Sequence, residues 1–380
     1  MKTYKKLTHD IVIAGGGLAG LTAAILLARK QYRVLLCERK KYPFHRVCGE
    51  YVSNEVLPFL KKNDLFPATF NPPAVRSFLL TGTNGQKLTL PLDLGGFGIS
   101  RYAFDHYLFQ KAREAGAEIC ENCEVSDISF QKNTFTISTS EGVEYTAPVV
   151  IGAYGKQARL DRQLDRDFTE KENDYVGIKY HVTGDFKKDE VALHNFRGGY
   201  CGISAIEEGK FNLCYLVRRT VLREYGSPGD LEEAILRQNP YLDDIFTEAS
   251  HLFEKPMVIS NFGFYPRTAV QNHVLMTGDA AGLITPLCGN GMAMAIHAAK
   301  IAADTISRHM PAGTTGNREA LEKEYVSHWN SSFRTRLAVG RKVQQVFGHP
   351  VVSGLAVRVA GAFTPLARSL MKRTHGRPFQ

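Results

Sequence analysis

Residues 10–38, DIVIAGGGLAGLTAAILLARKQYRVLLCE, constrain this chain more than any other stretch. Ile11 to Ala14 is a short apolar run of the kind a buried parallel strand needs, and Leu18 to Arg29 follows as a helix without a breaker. Between them Gly15, Gly17 and Gly20 form the pattern G-x-G-x-x-G. The first glycine permits a tight turn, the second lets a pyrophosphate approach the amides at the helix N-terminus, and the third lets helix and strand pack closely. Glu38 ends the second strand, where an acid can accept hydrogen bonds from an adenosine ribose. Strand, helix, strand and acid agree on a dinucleotide site.

By length alone the apolar run 11–28 also suits a membrane span, and MKTYKK ahead of it has the charge of a signal-peptide head. Four glycines within six residues suit a turn better, Asp10 interrupts the head, and no small-residue cleavage site precedes Arg29. A cytosolic chain is expected.

The 380 residues can hold two domains with proper cores, and 44% hydrophobic content is that of a globular protein. The cysteines are odd in number and scattered, at Cys37, Cys48, Cys120, Cys123, Cys201, Cys214 and Cys288, so reduced thiols are expected rather than a disulfide framework. Cys120 and Cys123 form a single C-x-x-C without the second pair a zinc site needs, and no metal is expected. The net charge of +9 is confined to the tail. From Ser331 onward there are nine Lys or Arg and no acid, so the preceding residues balance. Interleaving with Val351, Val352, Leu355, Val357, Phe363, Leu366, Leu370 and Met371 favours an amphipathic surface helix over a nucleic-acid arm. Such a helix could meet an anionic membrane surface or an acidic partner, or pack on its own protein with solvated arginines.

Along the chain, Ser53 is a fair N-cap for NEVLPFLKK, and Val75 to Leu80 and Lys87 to Leu90 read as strands joined through Asn84-Gly85. Ile99 to Ala115 is an amphipathic helix, Glu118 to Ile137 a strand and a hairpin, and Val149 to Gly152 a further buried strand. From Asp174, DYVGIKYHV, EVALHNF, GGYCGISAI and FNLCYLV predict an antiparallel sheet, with a helix from Leu231 before a last strand at Met257. His273 to Thr277 then runs into Gly278-Asp279-Ala280-Ala281-Gly282, and Gly289-Asn290-Gly291 opens a long helix. The nucleotide domain is thus expected in pieces, residues 1–71, 99–160 and 266–310. The inserted domain takes 72–98 and 161–265, and 311–380 is a C-terminal helical basic segment.

An early G-x-G-x-x-G with its acid, a central S-R-x-x-F-D helix and a late G-D-A-A-G followed by P-L-C-G-N-G resemble the FAD-dependent monooxygenase and geranylgeranyl reductase superfamily, over residues 10 to about 305. The resemblance implies an α/β fold: a Rossmann-like FAD-binding domain with an inserted antiparallel-sheet substrate domain, like para-hydroxybenzoate hydroxylase. It implies that Gly15, Gly17, Gly20 and Glu38 hold the ADP half, with Leu18, Ala19, Arg39 and Val125 beside them. Arg101 would lie along the diphosphate and Gly278-Asp279 would bond the ribityl chain. Pro286 to Gly291, with Gly289, Asn290 and the following Met292, would bring a helix N-terminus to the flavin, where reduced flavin carries negative charge.

Cys48-Gly49-Glu50 resembles the C-G-[EDG] stretch of the reductases, and Gly282 stands where many aromatic hydroxylases have a histidine. The reductases' Y-x-W-x-F-P strand keeps here only Tyr200, and Ala153-Tyr154-Gly155 replaces an A-D-G turn whose acid supports the flavin and nicotinamide region. The catalytic candidates are Cys48 as a flavin-side thiol, Glu50 as a proton donor if burial raises its pKa, Arg46 to neutralise reduced flavin, and Tyr200. His45 and Lys156 are lesser candidates. The leading expectation is monooxygenation of a large hydrophobic or phenolic small molecule, with NADH or NADPH as the electron donor to test, because Gly202, Ser204 and Ala205 would widen the cavity. Reduction of an isoprenoid or polyene C=C bond is the alternative. Halogenation ranks lower for want of a W-x-W-x-x-P motif, and a flavin-bearing electron carrier is the non-enzymatic reading.

Overall fold

All side chains of Ile11–Ala14 and Val34–Glu38 are buried, which is why both runs are continuous rather than alternating. They are the centre of a six-stranded sheet in the order Val270–Gln271, Val274–Met276, Val149–Gly152, Ile11–Ala14, Val34–Glu38, Glu118–Glu121. Ile11 pairs in parallel with both Val149 and Val34, and only the 270–271 edge runs antiparallel. The computed structural model describes residues 7–156, 159–170, 174–312, 316–347, 357–358 and 364–380. The helix Leu18–Arg29 covers one face of this sheet and packs on Gly291–His309 and Arg101–Glu114. The apolar run 11–28 is therefore a strand, a glycine turn and a helix of 12 residues. Among the described residues no helix is long and apolar enough to cross a membrane; MKTYKK lies outside them.

The second domain is built on a nine-stranded sheet whose core strands are Tyr175–Thr183, Phe211–Arg218, Gly199–Ala205, Glu190–Phe196, Ala74–Thr81 and Lys87–Gly98. It departs from the expected pattern in two ways. Glu190–Phe196 pairs in parallel with Ala74–Thr81, so the sheet is mixed, and Tyr51–Ser53 from the first segment joins its edge beside residues 96–98. Strand alternation then sorts the side chains. Val176, Ile178, Tyr180 and Val182 join Cys201, Ile203 and Ala205 in a core beneath the helices Pro228–Ala234 and Pro240–Glu248. Gly177, Lys179 and His181, like Tyr200, Gly202 and Ser204, therefore face the opposite way, toward the nucleotide domain. Ala205 is turned from that side, which corrects its expected part in widening the cavity. A third, small sheet pairs Leu7–Thr8, Glu144–Ala147, Thr134–Thr139 and Val125–Gln131.

The basic C-terminal segment folds back on its own protein. Arg318–Val346 is a 29-residue helix packed on Gly291–His309, and Thr364–Thr374 packs on it in turn. Arg336 pairs with the buried Glu55 at 3.0 Å, Arg368 and Lys372 share Asp93 at 2.5 and 3.1 Å, and Gly376 N–H also bonds Glu55. Val351, Val352, Leu355 and Phe363 lie outside the described residues. The long helix also explains Gly282. A Cβ there would lie 2.7 Å from Leu337 and 2.9 Å from Trp329, so the residue is small because the helix rests on it. Gly282→Ala is expected to overpack this contact and cost about 1–3 kcal/mol, read as a lower midpoint in urea unfolding.

Candidate active site

The early glycine turn is fixed by steric limits. Gly15 has φ +109°, its N–H donates to Cys37 O at 2.8 Å, and a Cβ on it would strike the Ala153 backbone at 2.6 Å. A Cβ on Gly20 would collide with Gly15 O, which is the close helix–strand packing expected of the third glycine. The helix Leu18–Arg29 starts at Gly17 with no side-chain cap and no acid in its first turn. Its amides are left for a ligand, and an anion suits them. Glu38 is buried and accepts the Gly16 and Lys40 amides at 2.9 and 3.1 Å, while the Tyr42 hydroxyl donates to Gly16 O.

Two arginines lie across this turn on one carboxylate. Arg101 donates twice to Asp105 at 2.7 Å, and its guanidinium is 3.4 Å from where a Gly17 Cβ would stand. Arg46 bonds Asp105 and Glu38, each at 3.0 Å. Arg46 thus lies beside Glu38 at the early turn, its charge shared between two acids.

The late turn meets the early one. A Cβ on Gly278 would lie 3.0 Å from that of Ala19. Arg267 and Arg166 hold the turn from behind through Asp279 O and Ala280 O at 3.0 and 2.8 Å. Arg166 also pairs with buried Asp161 at 3.1 Å, and Tyr154 Oη donates to the same acid at 3.0 Å. Tyr154 thus takes the middle of the turn Ala153-Tyr154-Gly155, and its hydroxyl meets the acid Asp161. After Pro286–Cys288 the chain passes through Gly289 at φ +60° into the helix Gly291–His309, again without a side-chain cap or a first-turn acid. Asn290 Nδ2 donates to Thr374 O at 2.9 Å, and its Oδ1 finds no hydrogen-bond partner among the described residues. Tyr200 does more than fill the sheet. Its hydroxyl accepts the Leu287 N–H at 3.0 Å and so sets the late loop, and burial pushes its phenol well above the usual range.

A single cavity of about 950 Å³ joins these parts. Its wall includes Gly15, Gly17, Leu18, Ala19, Glu38, Arg39 and Val125 at one end and Gly278, Asp279, Pro286, Gly289, Asn290, Gly291 and Met292 further in, with Arg46, Cys48, Glu50, Arg101 and Tyr200 between. Of the expected cofactor-binding and catalytic residues, Gly20 alone is outside the wall. Beyond the turns the cavity is lined by Leu80, Leu88, Leu90, Leu193, Leu216 and Leu283.

Glu50 is the centre of a buried network that the sequence did not disclose. It has φ +55°, is fully buried, and accepts Lys179 Nζ, His181 Nε2 at 2.7 Å and Arg101 N–H at 2.7 Å. Lys179 also donates to Arg46 O at 3.0 Å, and Ser204 Oγ donates to Gly49 O at 3.2 Å. Burial alone would raise the Glu50 pKa, but the charge of Lys179 and the bond from His181 outweigh it and hold the carboxyl below its ordinary value. Glu50 is therefore ionised and fully bonded, which corrects its expected role as proton donor. His45 sits edge-on to His181, and burial with that neighbour and Lys179 lowers it to about 4. Lys156 bonds Val47 O at 3.5 Å. The missed residues had one signal: Lys179 and His181 alternate in a strand that is otherwise apolar.

A family model described as an FAD binding domain matches residues 8–319. The chain belongs to that family. Within it, the chain is 26% identical over 358 residues to digeranylgeranylglycerophospholipid reductase 2 of Methanothermobacter thermautotrophicus, covering 90% of this chain and 88% of the relative. The protein of the same name from Methanopyrus kandleri is 25% identical over 359 residues, covering 90% and 87%. Among solved structures, the flavin-dependent brominase Bmp2 superposes with a TM-score of 0.77 at 18% identity, covering 96% of this chain and 93% of that one, a likeness of fold. The chain is an FAD-dependent oxidoreductase, and its residues fit the cofactor. Two uncapped helix N-termini face one cavity, the glycines leave room where a Cβ would intrude, and Asn290 Oδ1 is unpaired.

Removing Lys179 strands a buried carboxylate. Lys179→Met is expected to cost about 3–5 kcal/mol in urea unfolding, and Lys179→Met with Glu50→Gln to recover part of it. Because the folded pKa of Glu50 lies below its ordinary 4.5, its stabilising share is complete above that value and lost as pH falls through the lowered one. Tyr200→Phe should cost about 1 kcal/mol and increase the FAD lost on ultrafiltration, since Leu287 N–H then has no acceptor.

Proposed function

We propose that this chain reduces a carbon–carbon double bond in a long apolar isoprenoid or polyene. The observation that carries the reading is the leucine-lined extension of the cavity, continuous with the flavin end, in a chain whose relatives are named as reductases of a geranylgeranyl lipid. Bound FAD would supply the hydride. The chain's own part is to hold substrate and proton. The six leucines exclude water and align an extended hydrocarbon. Ionised Glu50 fixes the loop that carries Cys48, so that of the expected candidates Cys48 Sγ is the one left at the wall to hand over a proton. NADH or NADPH is the electron donor in this reading. Exposed tail cations such as Arg373 and Arg377 would meet an anionic membrane surface that delivers so apolar a substrate.

A second reading, monooxygenation, is favoured by one observation: Gly202 and Ser204 stand in the wall where the reductase pattern has bulky aromatics. Oxygen separates the two. With the flavin chemically reduced under argon, a prenyl or polyene substrate is expected to gain two hydrogens. Product that forms only in air and carries labelled oxygen from O₂ would reject reduction in favour of the second reading.

A further inference from the structure

Three cysteines distant in sequence meet at the adenosine end of the cavity. Cys37 lies directly across the parallel ladder from Cys120, and neighbouring strands run about 4.8 Å apart, within the Cα separation a disulfide can span. The chain then turns through Asn122 at φ +54° and returns Cys123 to the same place, where its N–H donates to Glu38 O at 2.9 Å. The thiols of Cys37 and Cys120 are both near enough to the Cys123 sulfur to favour its ionised form, Cys37 the more strongly. Cys37 and Cys123 line the cavity beside Glu38, and Cys120 is half-buried at its outer side.

We propose that Cys123 and Cys37 form a reversible disulfide that loosens the hold of the nucleotide groove on FAD. The oxidant is a peroxide, the ordinary by-product wherever reduced flavin meets oxygen. The Cys123 thiolate attacks one peroxide oxygen, the O–O bond breaks, and a sulfenic acid and one water result. The Cys37 sulfur then bonds to the Cys123 sulfur, the S–O bond breaks, and a second water leaves. Two thiols lose two electrons and two protons, and one peroxide takes them up. A dithiol reductant reverses the change by exchange.

The neighbours suit this chemistry. The neighbouring thiols favour a thiolate at Cys123, and Cys37, foremost, brings the thiol down to about 7 against the opposing effect of burial. Cys201, buried without such help, is pushed well above the ordinary thiol range by desolvation. The link to the cofactor is short. Cys37 precedes Glu38, whose carboxylate holds Gly16 N–H of the glycine turn, and Cys123 N–H holds Glu38 O. Drawing the two sulfurs to about 2.05 Å pulls on both attachments of that acid. By linkage, bound FAD must oppose the disulfide by the factor with which the disulfide weakens FAD.

The holoprotein is treated with graded hydrogen peroxide, alkylated after denaturation, digested and mapped, and the FAD passing an ultrafilter is measured in parallel. A Cys37–Cys123 cross-linked peptide is expected, with FAD affinity about tenfold weaker and both changes reversed by dithiothreitol. Cys120→Ser should keep both effects and Cys123→Ser should lose both. The proposal is overturned if Cys37 and Cys123 remain fully alkylated, if the bond joins Cys120 instead, or if the cross-link forms while FAD retention is unchanged. Should Cys123→Ser not fold, the map of the unaltered protein decides alone.

Discussion

The ion pair between Lys179 and Glu50 is the constraint on which the arrangement of the site depends. Both charges are withdrawn from water, and such a pair is rarely a source of net stability. What it provides is position. One carboxylate joins a strand of the substrate sheet to the loop carrying Cys48 and, through Arg101 N–H, to the start of the helix Arg101–Glu114. The same helix start is held a second time, where Glu207 accepts Ser100 N–H at 2.7 Å. The seam between the two domains is thus polar, bonded and specific in register, while the core of each domain is apolar.

Around that seam the two glycine turns divide the work. With FAD bound, the early turn would present amides to its diphosphate, and the loop before Gly291 would present them to the flavin. Neither helix start is capped by a side chain, whereas Ser100 caps the helix beside them with its own hydroxyl. Buried Arg166 and half-buried Arg267, neither of them in the cavity wall, satisfy the Ala280 and Asp279 carbonyls of the late turn.

What could be read from the sequence was local. Continuous apolar runs gave the parallel strands at 11–14, 34–38 and 149–152, Asn84-Gly85 gave the hairpin, and glycine spacing gave both turns of the cofactor site. What escaped was pairing between residues far apart. Glu50 could be placed near the flavin, but its charge state depends on Lys179 and His181, more than a hundred residues later, and burial without those partners would have raised its pKa. Nothing near Arg46 in the sequence signals that Glu38 and Asp105 bracket its guanidinium. The parallel pairing of Glu190–Phe196 with Ala74–Thr81 likewise has no local signature.

The return of residues 374–376 to Glu55 and Asn290 bears on how the protein is made. Strands at 11–14 and 34–38 leave the ribosome early, yet the sheet gains its neighbour at 274–276 and the flavin loop its capping helix only after most of the chain has been synthesised. The contacts that finish the wall come later still, from Arg336, Thr374 and Gly376. Long sequence separation of this kind slows folding. The groove is therefore complete only once residues 336–376 have returned to Glu55 and Asn290, and a chain cut short before this return would expose a half-built groove to chaperones and proteases.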